Sequence, residues 1–132
     1  MRKDIEIPKV TDVHIVAIKE WDKEFLSQNW FVYLVNNTSK TLSTVLVISR
    51  GADSDRKTST LRHGLGDVAP FSAAKIELLP DEVLGFTNEY LLTFFNYKGL
   101  LHDKNFVFEA FEVSAENLET VPILDQAGII AK

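Results

Sequence analysis

A chain of 132 residues, 45% apolar and 25% charged, has the size and composition of one globular domain. Its net charge of −5 opposes general binding to a phosphate backbone. It has no cysteine, so disulfides, Cys-ligated zinc and thiol catalysis are excluded.

The opening "MRKDIEIPKV" lacks the apolar core of a secretion signal. No apolar run nears the ~20 residues that a membrane helix needs. A cytoplasmic protein without membrane contact is expected. Downstream, the dominant hydrophobic period is two. "DVHIVAIKE" (12–20) alternates weakly and reads as a strand. "NWFVYLVNN" (29–37) is aromatic and β-branched, and "LSTVLVISRG" (42–51) follows it after a short polar stretch. Strand, short turn and strand predict a hairpin. Asn36 and Asn37 begin N-x-[ST] patterns but read as turn residues.

Residues 52–57 are polar and charged, a loop. "TSTLRHGL" (58–65) reads as a short strand and "GDVAPFS" (66–72) as a connection. "AAKIELL" (73–79) alternates, with Ile76 and Leu78 on one face and Lys75 and Glu77 on the other. "EYLLTFFNY" (89–97) is a strand that ends in a turn at Lys98-Gly99. "NFVFEAFEV" (105–113) is a strand with Phe106 and Phe108 facing inward. "SAENLETV" (114–121) holds at most two helical turns, capped by Ser114. The apolar "VPILDQAGIIAK" (121–132) is expected to add an edge strand to its own sheet.

About eight short strands with almost no helix predict an all-β fold. The expectation is a single-domain antiparallel β-sandwich over residues 1–132, with seven to nine strands. It is loosely immunoglobulin-like, with at most one short helix near 114–120. An antibody-type domain is excluded, because Cys…Trp…Cys cannot be present.

Three strands are apolar on both sides: residues 30–35, 45–48 and 91–95. One face of each meets the core, and the other needs cover. The chain's own N-terminus, short helix or tail is one cover. A second copy or another protein is a second, and a ligand pocket a third. Phe31, Tyr33, Phe95 and Tyr97 are the interface candidates by parity. Trp30 reads as core. Trp21, in "KEWDKEF", reads as half exposed and available for contact.

"RKTSTLRHGLG" (56–66) stands out in an acidic chain. Arg56, Lys57, Arg62 and His63 supply positive charge for an anion or RNA, with nearby hydroxyls and the Gly64 and Gly66 amides. Against that reading, Asp53, Asp55 and Asp67 flank the stretch, and strand parity separates Arg62 from His63. RNA-binding sheets also use exposed aromatics, absent here. A solvated loop and strand is the competing reading.

His14, His63 and His102 occur singly, without the spacing of a metal site. Ser59, His63 and Asp67 are near one another in sequence, but no G-x-S-x-G elbow accompanies them. "GLG" lacks the third glycine and helix of a dinucleotide loop. No catalytic residue, metal or cofactor is expected, and the chain reads as no enzyme.

Through "KTSTLRHGLG", "AKIELL", "TNEYLLTFF" and "GIIAK", the whole chain resembles a set of small bacterial proteins of this length. Members often carry the label phenylalanyl-tRNA synthetase alpha subunit. The resemblance implies no established catalytic residues. Aminoacylation does not follow from the label. A synthetase catalytic subunit needs a large mixed sheet and ATP-binding arginines on a much longer chain, and Gly64 and Gly66 lead only into Asp67, Val68, Ala69 and Pro70. The expected function is a non-enzymatic protein-interaction module that binds a protein partner or a second copy through an apolar sheet face or edge strand. The alternative is an RNA- or anion-binding accessory domain that uses residues 56–63.

Overall fold

In the computed structural model, which describes residues 10–21, 23, 24 and 26–132, the period-two pattern becomes nine strands in two antiparallel sheets. They are β1 (Val13–Trp21), β2 (Gln28–Asn36), β3 (Leu42–Ala52), β4 (Leu61–Val68), β5 (Ser72–Leu79), β6 (Thr87–Phe95), β7 (Leu101–Phe108), β8 (Glu119–Thr120) and β9 (Ala127–Ile130). One sheet runs β5-β2-β1-β9-β8 and the other β4-β3-β6-β7. The core between them takes alternate residues from each strand, such as Ile15 and Ala17, Val32 and Leu34, Phe106 and Phe108. Each fully buried aliphatic side chain contributes about 1.5–3 kcal/mol. Trp30 is core and Trp21 is half exposed, both as expected. No helix of the described residues is long and apolar enough to cross a membrane. The segment 1–9, one expected cover for a second sheet face, lies outside the described residues.

The expected hairpin of residues 29–37 with 42–51 does not form. β2 pairs with β1 and β5, whereas β3 pairs with β4 and β6. The polar stretch between them carries the chain from one sheet to the other. Asn36 turns this corner from a fully buried position. Its Nδ2 donates to the carbonyls of Lys40 (2.8 Å), Ala69 (3.0 Å) and Val68 (3.3 Å). Its Oδ1 accepts from the Thr38 amide and hydroxyl. One side chain thus holds the β2–β3 crossing against the β4–β5 crossing.

Other boundaries also move. β4 begins three residues later than expected and continues through Gly66, whose φ of +67° suits a residue without Cβ. β7 starts at Leu101 and stops at Phe108, well short of 113. The short helix is a single 3-10 turn, Ala115–Asn117, with the Ser114 hydroxyl accepting from the Glu116 amide.

The tail joins its own sheet as expected, but between β1 and β8 rather than at the edge. β9 pairs with β1, and the Lys132 amide donates on to Val107 of β7. This closes one side of the sandwich. The segment between β8 and β9 lies over the outer face of the first sheet. There Val121 buries Val16, Ile18 and Val35 in a second apolar layer, with Leu124 beside them. β1 is therefore buried on both faces, which explains its weak alternation. β9 approaches closely because residue 128 is glycine. A Cβ there would stand 2.6 Å from the Ala17 carbonyl oxygen and 2.5 Å from Ile18 Cδ1.

Two substitutions test this account in urea unfolding. Gly128→Ala lifts β9 off β1, with an expected loss of about 1–3 kcal/mol, the usual cost of overpacking. Asn36→Ala leaves buried carbonyls without a donor, and its expected loss is at least about 2 kcal/mol. Wild-type midpoints for either variant would refute the corresponding role.

Candidate functional site

The four basic candidates do not converge. Arg56 is exposed, paired with Asp53 at 2.9 Å and lying over the Phe86 ring. Lys57 is exposed beside the Ala52–Lys57 bridge. Arg62 points outward from β4 opposite Ile48, and among the described residues it makes no ion pair. His63 points inward. The flanking acids shape the backbone. Asp53 accepts from the Asp55 and Arg56 amides. The Asp55 amide, followed by the Arg56 guanidinium and amide, holds the Asp53 carboxyl below its usual range. Asp67 accepts from the amide of Thr44, a residue with φ of +52° in the β3 bulge.

His63 leads to a cluster that strand alternation conceals. Opposite Val32 and Tyr33, β5 carries one extra residue. At this bulge Ile76 and Glu77 both turn inward, while Leu78 is 45% exposed. The expected pairing of Ile76 with Leu78 on one face is therefore corrected. The Glu77 carboxylate receives donors from three strands of the opposite sheet. Ser49 of β3 donates to Oε1 at 2.9 Å, His63 Nε2 of β4 meets the same oxygen at 2.8 Å, and the Tyr90 hydroxyl of β6 donates to Oε2 at 2.7 Å. Burial, reinforced by the Glu77 charge, pushes the Tyr90 phenol well above its usual pKa.

The cluster differs from a Ser–His–acid relay. A relay needs one ring nitrogen toward serine and the other toward the acid. Here Nε2 of His63 faces both Glu77 and, at 3.4 Å, Ser49. The Ser49 hydroxyl donates its hydrogen bond to Glu77 and is 4% exposed. Ser59 and Asp67, the other members of the sequence-local trio, make no bond to His63. The cleft beside the cluster measures about 230 Å³, with Thr58, Ser59, Leu61 and Pro80 in its walls. That is below the roughly 300–1,000 Å³ of ordinary small-molecule sites. His14, His63 and His102 stay on separate strands, and no group of three metal-ligating side chains occurs among the described residues. His102 stacks on Phe94 and its ring nitrogen accepts from Asn96.

The four interface candidates are also split. Phe31 and Tyr33 lie on the outer face of the first sheet. Lys75 Nζ sits 4.1 Å from the Phe31 ring centre, and the Tyr33 hydroxyl donates to Glu20. Burial, then the bond to Glu20, raises the Tyr33 pKa above its usual value. Phe95 belongs to the outer face of the second sheet, and Tyr97 to the turn after β6, between Lys40 and Lys98. Parity marked these residues as outward, but it cannot tell one sheet's outside from the other's.

The two outer faces are unlike each other. The first carries the layer under Val121. The second presents Leu46 and Ile48 from β3, Leu91 and Phe95 from β6, and Leu101 from β7. Leu91, Phe95 and Leu101 are 37%, 40% and 59% exposed. A shallow groove crosses this face, lined by Ile48, Arg50, Glu89, Leu91 and Asn105. Arg50 and Glu89 pair across it at 3.2 Å.

Comparison of the chain with protein-family models, curated proteins and solved structures returns no match.

The two raised phenols set a pH dependence. Unfolded tyrosines ionise near pH 10, whereas folded Tyr33 and Tyr90 hold their protons beyond that. Their contribution to stability is whole below about pH 10 and is lost as pH rises further. In an alkaline titration, phenolate absorbance from these two is expected only with the loss of the folded circular dichroism signal. Tyr90→Phe removes one of the two late phenols and lowers stability at neutral pH by about 1–3 kcal/mol, because Glu77 loses a donor.

Proposed function

We propose that this chain is a non-enzymatic, cytoplasmic protein-interaction module of the small bacterial family it resembles. Binding runs through the outer face of the β4-β3-β6-β7 sheet. One observation carries the reading. Among the described residues, the tail lies over the outside of one sheet, whereas on the outside of the other Phe95 and Leu101 are exposed cross-strand neighbours and Leu91 is exposed two rows along β6. Grouped apolar side chains on an open sheet are the usual mark of a contact surface. The connectivity, with β1, β2 and β5 opposite β4, β3, β6 and β7, supports a loosely immunoglobulin-like architecture for the module. The divergence of Arg56, Lys57, Arg62 and His63 weighs against a single phosphate site there.

The test is a cross-linked pull-down of the tagged chain from a lysate of its own cells at about 50 mM and about 500 mM salt. Leu91→Glu/Phe95→Glu is compared with Arg56→Glu/Lys57→Glu, which leaves Arg62 of the face in place. The expected result is a bound protein, a second copy or another chain, that survives both salts and is missing only from the face variant. RNA that leaves at the higher salt and is missing only from the charge variant overturns the reading.

A further inference from the structure

The open face has a charge layout that bears on its occupant. Its strands lie in the order β4-β3-β6-β7, and cross-strand partners place its outward residues in rows. Arg62, Ile48, Leu91 and Asn105 form one row. Gly64, Leu46, Thr93 and Asp103 form the next. The middle strands are apolar in both rows, apart from Thr93. The β4 rim carries the cation Arg62 and the β7 rim the anion Asp103. Among the described residues neither has an ion-pair partner.

We propose that the occupant of this face is a second copy of the chain, stacked sheet on sheet about a two-fold axis parallel to the strands. The inference rests on the reading of the face as a contact surface. A two-fold axis lying between two stacked sheets has two simple settings. Set across the strands, it lays β4 on β4 and brings Arg62 toward its own copy, like charge on like. Set along the strands, it reverses the strand order. β4 then lies over β7 of the second copy and β3 over β6. Ile48 meets Leu91 in both directions, and each Arg62 reaches the Asp103 of the other chain, one row away. A long arginine spans one such row of about 7 Å. The same patch serves both partners, as an isologous contact requires. Aligned stacking, with the sheets crossed by about 30°, is the ordinary geometry for twisted sheets.

Size sets the strength. Four strands about 4.8 Å apart and eight residues long present roughly 500 Å² per copy. The total, roughly 1,000 Å², is at the low end for specific interfaces. The dimer is therefore weak, with a dissociation constant in the micromolar range, on the order of 10–100 µM.

The test is sedimentation velocity on the purified chain from about 1 to about 500 µM, a range that brackets this constant. The wild type is expected to pass from monomer to twice the mass. Leu91→Glu is expected to stay monomeric throughout, with an unchanged melting curve. Arg62→Glu, at an exposed position, weakens association at least tenfold, and Arg62→Glu/Asp103→Arg restores it. A wild type that stays monomeric at the highest concentration overturns the dimer, while a pull-down partner lost in Leu91→Glu/Phe95→Glu would still uphold the contact surface. A dimer indifferent to Leu91→Glu overturns this face as the dimer contact. A double charge reversal no better than Arg62→Glu alone overturns the axis.

Discussion

The carboxamide of Asn36 holds two places where the chain leaves one sheet for the other. It sits at the last residue of β2, and its two hydrogens are shared among carbonyls on both crossings. Without a donor there, the corner would bury polar backbone with no partner, at a cost of 1–3 kcal/mol or so for each group. With it, β2 and β3 part company instead of pairing. Everything downstream follows from that separation. β2 becomes free to accept β5, β3 to accept β4 and β6, and the core forms between the two sheets.

Glu77 is a second consequence of backbone geometry. A carboxylate in an alternating strand normally lies on the wet side. The extra residue in β5 turns it inward, where Ser49, His63 and Tyr90 meet it from three strands of the facing sheet. Those bonds fasten the β4 and β5 edges, on the side of the sandwich opposite the tail. A buried carboxylate with fewer donors would be costly. With its donors in place it specifies which strands face each other. The same arrangement keeps Ser49 covered and its proton committed.

Much of the architecture was legible in the sequence because period-two burial is a property of single strands. Trp30, Phe106 and Phe108 announced the core, Ser114 the capped turn, and "AGIIA" a strand with a home in its own sheet. The passage of the chain from one sheet to the other after β2 was not legible, because a tight turn and a change of sheet use the same short polar residues. What separates them is Asn36 reaching carbonyls more than thirty positions away. The bulge at Ile76 was hidden for a related reason. "AAKIELL" alternates cleanly on paper, and only the register against β2 shows the skipped partner. Parity likewise sent Phe31 and Phe95 outward correctly, and was silent on their belonging to opposite sides of the sandwich.

The position of β1 bears on how the chain reaches this state. Its first edge is paired by β2, next in the chain, but its second edge and its outer face wait for β9 and Val121, about a hundred positions further on. Contacts of such separation are formed late and slowly. Until they form, a hairpin of β1 and β2 shows Val16, Ile18 and Val35 as an uncovered stripe beside an unpaired edge. An uncovered apolar stripe beside an unpaired edge is what makes a chain prone to stick to its neighbours. The segment that finishes the fold also works as the chain's internal safeguard against aggregation.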